Sequence, residues 1–225
     1  ARLARILQRL LVGTVHGVAF RRTGQVDNAL GDGKLVGEKA TLASQAACTE
    51  LSRGRAEPTR QIAASMREGA QVAALAGVDV FTIPTKCADD ALAKLDGKFT
   101  NHTQDKLQVS LNPGVEAAAI RLGTLWDISP ELRNLCQSLA AQPPQTGAEL
   151  VERAHGAGCG DLFPRLSAAD EAKLTSEGKI PKHATWAERI RQGELAIDTL
   201  LNLAGLISFT GDQTALDDRI RRLIA

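Results

Sequence analysis

Apolar positions recur along the chain with two periods, and the switches between those periods outline the elements to expect. In "ARLARILQRLLVG", Leu3, Ile6, Leu7, Leu10 and Leu11 fall on one helical stripe with Arg2, Arg5 and Arg9 between them, which predicts an amphipathic helix ending near Gly13. "TVHGVAF" is apolar and β-branched, and predicts a short strand. After a glycine-containing connection, a small-residue helix is expected from about Glu38 to Leu51, broken by "SRGRAEPT". Gln61 to Ser65 predicts a second strand and Glu68 to Leu75 a helix closed by Gly77. Val78 to Ile83 predicts a third strand stopped by Pro84, and "CADDALAKL" another helix. Strands alternating with helices of this length predict βαβ units and a parallel sheet. The strands are nearly all apolar, as expected when both faces of a sheet are covered.

Beyond about Gly97 the pattern becomes mainly helical. "QVSLNPG" is compatible with one more short strand. Ser129-Pro130 caps and starts a helix to about Gln142, "PPQTG" is a turn, Ala148 to His155 is helical, and Ser167 caps "AADEAKLTSEG". "GKIPKH" reads as an exposed turn. Trp186 to about Leu206 reads as one long amphipathic helix, and Thr210 with Gln213 as a capping box for a last helix to Leu223. The organisation expected is residues 1–98 as one part of an α/β fold and 99–225 as a mainly helical extension packing on it.

At 225 residues and 44% hydrophobic, the chain is long enough for a real core. No apolar run approaches the roughly 18 residues that span a bilayer, and no cleavable leader is evident, so a cytoplasmic location away from membranes is expected. A net charge of +1 and 3% aromatic residues remove the global field and the stacking rings that nucleic-acid binding uses. An anion would have to be held locally. The cysteines, Cys48, Cys87, Cys136 and Cys159, form no close pair and read as buried thiols. His16, His102, His155 and His183 have no carboxylate at ligand spacing, so no metal is expected, and His183 with Trp186 is expected to pin the last helices.

"RQIAASMREGAQVAALAGVDVFTIPTK" resembles the seventh strand, seventh helix and eighth strand of the transaldolase family, through Ala64, Ser65, Met66, Arg67, Leu75, Ala76, Gly77, Asp79, Thr82, Pro84 and Lys86. "VDNALGDGKLVGEKATLASQAAC" is similar to the family's segment after its sixth strand, and the closing helices are similar in style. The resemblance implies part of a parallel (β/α)8 (TIM) barrel, with strands six to eight in this chain. Such barrels carry their sites at the carboxyl ends of the strands. Taken alone, Arg67 reads as a solvated cation opening a helix. The match implies instead that Arg67, with Ser65 at the same rim, grips the phosphate of a sugar phosphate, helped by free backbone N–H groups at the helix start. The family's second grip, a Ser and an Arg, is replaced by Gly24 and Gln25, with Arg21 and Arg22 nearby as substitutes.

The implied activity is transfer of a three-carbon ketol unit between sugar phosphates through a Schiff base, with no cofactor. The family's Schiff-base Lys is on its fourth strand and its acidic residues on the first and third, outside this sequence. Lys34, Lys39, Lys86 and Lys182 do not match it and read as solvated helix-end or loop lysines. Three or four strands cannot close a barrel, so the chain is expected to be part of a longer protein or to need a covering partner: a complementary chain, a missing N-terminal half or a second copy. The competing reading is a non-catalytic sugar-phosphate-binding or interaction module of the same descent.

Overall fold

A computed structural model describes residues 30–224, apart from 32 and 179. The expected N-terminal helix, the strand "TVHGVAF", His16, Arg21, Arg22, Gly24 and Gln25 lie outside the described residues. Among the described residues the protein is mixed α/β and dominated by helix, with one two-stranded parallel sheet.

Helix α1 (Val36–Ser52) is built mostly from good helix formers and small residues. Its small side chains let it lie between two hydrophobic clusters. Val36 and Ala40 pack with Ile120, Leu122, Leu125 and Ile197, whereas Leu42 packs with Ala63, Met66, Leu75, Val78 and Cys87. The second cluster belongs to a βαβ unit: β1 (Ile62–Ala63), α2 (Gly69–Ala74), β2 (Val80–Phe81), with α3 (Thr85–Lys94) following. The strands pair in parallel with Ile62 opposite Val80 and Ala63 opposite Phe81. The Val80 amide donates to the Gln61 carbonyl at 3.1 Å and the Thr82 amide to the Ala63 carbonyl at 2.8 Å.

Both strands are shorter than their apolar runs. Ser65, at φ 64°, turns the chain out of extended conformation directly after β1. The coverage expected on both faces is also incomplete, because Ile62 remains 54% exposed. "QVSLNPG" contributes a single antiparallel bridge, Gly31 to Leu111, in place of a strand.

At Ser129 and Ser167 the helical part matches its capping signals. Ser129 accepts from the Leu132 amide at the start of α4 (Pro130–Ala141), and Thr146 from the Glu149 amide at the start of α5 (Gly147–Gly156). Ser167 and Asp170 form a capping box at α6 (Ala168–Glu177). Two expectations are corrected. The single helix from Trp186 to Leu206 is α7 (His183–Arg191) and the start of α8 (Ile197–Ile224), separated where Gly193 takes φ 77°. That left-handed conformation suits glycine and ends α7. Helix α8 then runs unbroken through Thr210, whose hydroxyl donates back to the Leu206 carbonyl at 3.0 Å instead of capping a new start.

Trp186 is 1% exposed and packs with Leu174, Ile190, Leu195, Leu200 and Ala204, joining α6, α7 and α8. Its Nε1 donates to Glu177 at 2.9 Å, and the same carboxylate receives the Thr185 hydroxyl at 2.6 Å and the Lys182 amide at 3.0 Å. The end of the expected exposed turn at 181–183 is therefore tied down, with Pro181 buried. Among the described residues no helix is long and apolar enough to cross a membrane.

Candidate functional site

The loop Ala64–Glu68, at the carboxyl end of β1, holds both residues singled out for anion binding. Its anchor is Met66, fully buried among Leu42, Ala63, Leu75, Val78 and Cys87. With Met66 fixed in the core, Ser65 is half-buried and Arg67 exposed. Ser65 adopts the left-handed region, a conformation that costs a non-glycine residue about 1–2 kcal/mol. Non-glycine residues held there are found disproportionately at functional sites.

Arg67 is folded onto its own loop. Its Nη1 donates to the Ser65 carbonyl at 2.7 Å and the Met66 carbonyl at 3.1 Å. No ion pair between Arg67 and a carboxylate occurs among the described residues. Nε and Nη2, the edge that binds an oxyanion with two parallel hydrogen bonds, make no hydrogen bond there either.

The free amides expected at the helix start are largely occupied. The Arg67 amide donates to Gln71 Oε1 at 2.7 Å, and the Gly69 amide to Asp90 Oδ2 at 2.6 Å. Gln71 passes the connection on, its Nε2 donating to Glu38 Oε1 at 2.7 Å, so the first turn of α1 helps position the loop. The other oxygen of Asp90 pairs with Lys94 at 2.5 Å. The hydrogen bond from Lys94, then that from the Gly69 amide, holds the Asp90 carboxyl below its ordinary value. Gly69 is required for close approach: a Cβ there would lie 2.6 Å from the Ala91 backbone, so α2 rests directly on α3.

Asp79, another residue of the motif, stands at the opposite, amino end of the strand pair. Its Oδ2 accepts from the Gln61 amide at 2.9 Å and from Gln45 Nε2 at 3.0 Å, while Gln45 Oε1 accepts from the Asp79 amide at 3.1 Å. The buried Ser44 hydroxyl donates to Gln61 Oε1 at 2.7 Å. This network clamps α1 to both strands, so Asp79 has a structural role and lies apart from Ser65 and Arg67.

No family model matches the chain, and no curated protein or solved structure matches it.

Of the lysines, Lys34, Lys86 and Lys182 are exposed. Lys39 departs from the solvated reading: its Nζ lies 4.1 Å from the centre of the Trp126 ring, a cation–π contact. Cys48, Cys87 and Cys159 are buried and Cys136 half-buried. Burial pushes the thiols of Cys87, Cys136 and Cys159 up, away from the reactive thiolate. His102 Nδ1 lies 2.7 Å from Asp105 and His155 Nε2 lies 2.9 Å from the Phe163 carbonyl.

One buried acid escaped the sequence reading. Asp198, in the first turn of α8, is 2% exposed, and its Oδ1 has no hydrogen-bond partner among the described residues. Burial pushes its carboxyl up to about 6, helped by the Asp161 charge and opposed by the Thr199 and Asp198 amides and the Thr124 hydroxyl. It borders a cavity of about 60 Å³ lined also by Ala40, Ser44, Thr124 and Leu132. Asp161 itself pairs with Arg121 at 2.8 Å. "LAIDTLL" gave no warning, since an Asp near a helix start reads as an ordinary exposed first-turn acid.

Proposed function

We propose that the chain forms the phosphate-holding side of a transaldolase-like site, with Arg67 and Ser65 gripping the phosphate of a sugar phosphate. In this reading β1 and β2 are neighbouring staves of a (β/α) barrel that residues beyond the described ones complete, and the imine-forming Lys comes from outside this chain. The observation that carries it is the loop after β1. A strained Ser65 and an exposed Arg67, whose Nε/Nη2 edge makes no hydrogen bond among the described residues, are held at the carboxyl end of a parallel strand by a buried Met66. Nη1 can stay on the Ser65 and Met66 carbonyls while the other edge takes two phosphate oxygens. The Glu38–Gln71 connection orients the loop without neutralising Arg67.

A second reading, a sugar-phosphate-binding module without transfer activity, draws on the lysines, since Lys34, Lys86 and Lys182 are exposed and Lys39 is engaged on Trp126. A reactive amine needs desolvation to lower its pKa. The two readings separate in one experiment on a protein carrying this chain together with the remainder of the barrel. Incubation with fructose 6-phosphate and borohydride is expected to add the mass of a reduced ketose adduct. Binding without an adduct supports the module reading, and neither binding nor adduct contradicts both.

A further inference from the structure

Between α1 and the start of α8 the packing leaves a gap with an acid at its inner end. Ala40, Ala43, Ser44 and Ala47 share one face of α1 by their spacing, and their small side chains leave open a cavity of about 60 Å³. Leu125, Leu132 and Leu162 are among the residues of its other walls. One ordered water needs roughly 10–15 Å³ of such space, so the cavity has room for a molecule of a few heavy atoms. Asp127 and Ile128, both exposed, line its outer edge. Asp198, 2% exposed, lines it from the buried side.

That carboxyl is short of a donor. Asp198 Oδ1 has no hydrogen-bond partner among the described residues, and a buried polar oxygen left so is costly. The hydroxyls on the cavity wall do not supply it. Ser44 gives its proton to Gln61 Oε1 at 2.7 Å, and the single proton of the Thr124 hydroxyl has the Arg121 carbonyl to go to at 3.0 Å. Among the described residues no lysine, arginine or histidine lines the cavity. Arg121 is paired with Asp161 at 2.8 Å, and Lys39 of α1 lies on the Trp126 ring. The charges that face the cavity or the carboxyl, those of Asp127 and Asp161, are both negative. An anion is therefore repelled, whereas a cation that donates a hydrogen bond and carries a short apolar chain matches both the inner end and the walls.

We propose that this cavity binds a small primary alkylammonium ion, of about three carbons, whose N–H donates to Asp198 Oδ1 while its chain lies along the small-residue face of α1. The test is saturation-transfer NMR of n-propylammonium chloride with the 225-residue chain at about pH 8, followed by titration read on the Asp198 carboxyl carbon. For so small a ligand a dissociation constant between about 0.1 and 10 mM is expected, with the carboxyl resonance moving as the site fills. n-Propanol, similar in shape but uncharged, should bind at least roughly tenfold more weakly. The ammonium should lose about tenfold near pH 5, where a proton competes for a carboxyl that burial pushes up to about 6. Asp198→Asn keeps the shape without the charge and should weaken binding by a similar factor. Ala43→Leu, which fills the cavity from α1, should abolish binding with helical circular dichroism retained. The absence of saturation transfer at about 10 mM ligand overturns the proposal and leaves the cavity to water. So does equal affinity for n-propanol, or binding that neither Asp198→Asn nor Ala43→Leu reduces.

Discussion

Arg67 Nη1 donates to the carbonyl of Ser65 at 2.7 Å, so the proposed anion ligand is braced by the residue that carries the strain of the loop. The guanidinium and the left-handed Ser65 form one unit, and each can be perturbed separately. Ser65→Gly relieves the backbone conformation and removes the hydroxyl. Chemical denaturation is expected to show a gain of up to about 1 kcal/mol, the strain relieved less the extra chain entropy of glycine. Titration with fructose 6-phosphate should show weaker binding in the same variant. A variant that is both less stable and undiminished in binding would contradict the role given to Ser65.

Asp79 tests the opposite end of the strand pair. Asp79→Ala removes the acceptor for the Gln61 amide and Gln45 Nε2, leaving two donors to find water. A loss of about 1–3 kcal/mol in stability is expected, with phosphate affinity per folded molecule unchanged. A selective loss of binding at full stability would move Asp79 into the site.

Gly69→Ala places a methyl 2.6 Å from the Ala91 backbone, where no flexible side chain can yield. Forcing α2 away from α3 is expected to cost about 1–3 kcal/mol in urea denaturation. An unchanged midpoint would mean that α2 does not rest on α3 as described.

What could be read from the sequence was local. Ser129, Ser167 and the apolar runs around Ala63 and Val80 announced their elements because a cap or a strand depends on a few neighbouring residues. The position of Arg67 just past a strand followed from the same local order. Gln71 bridging to Glu38 and Asp79 clamped by Gln45 were not visible, since each pair is more than thirty residues apart and exists only once α1 lies over the strands. The helix boundaries near the C-terminus went astray for a different reason. Thr210 with Gln213 has the composition of a cap, but a threonine hydroxyl is equally satisfied by the carbonyl four residues back, and Gly193 was the stronger stop. Ser65 in a left-handed conformation has no sequence signature, because glycine is the residue that normally announces it.

Asp198 predicts a pH dependence. Its folded-state value of about 6 lies above the ordinary 3.8, so the folded chain holds a proton that the unfolded chain releases. That contribution to stability is complete below the unfolded value and is lost as pH rises through about 6, an effect on the order of 2–3 kcal/mol. Relative to Asp198→Asn, the unsubstituted chain should lose stability between pH 4 and 6 and change little above 7. Parallel profiles for the two proteins would show that the Asp198 carboxyl is not perturbed.

The most direct measurement is calorimetric titration of fructose 6-phosphate, with inorganic phosphate as competitor, into the unsubstituted chain, Arg67→Ala and Arg67→Lys. Losing a guanidinium that takes two phosphate oxygens is expected to weaken binding roughly 10- to 100-fold in Arg67→Ala. Arg67→Lys should recover only part of that loss, because an ammonium cannot reproduce the paired geometry. Affinity for the phosphate ester that is unchanged in Arg67→Ala, or binding that inorganic phosphate does not displace, would contradict the assignment of the loop after β1 as a phosphate site.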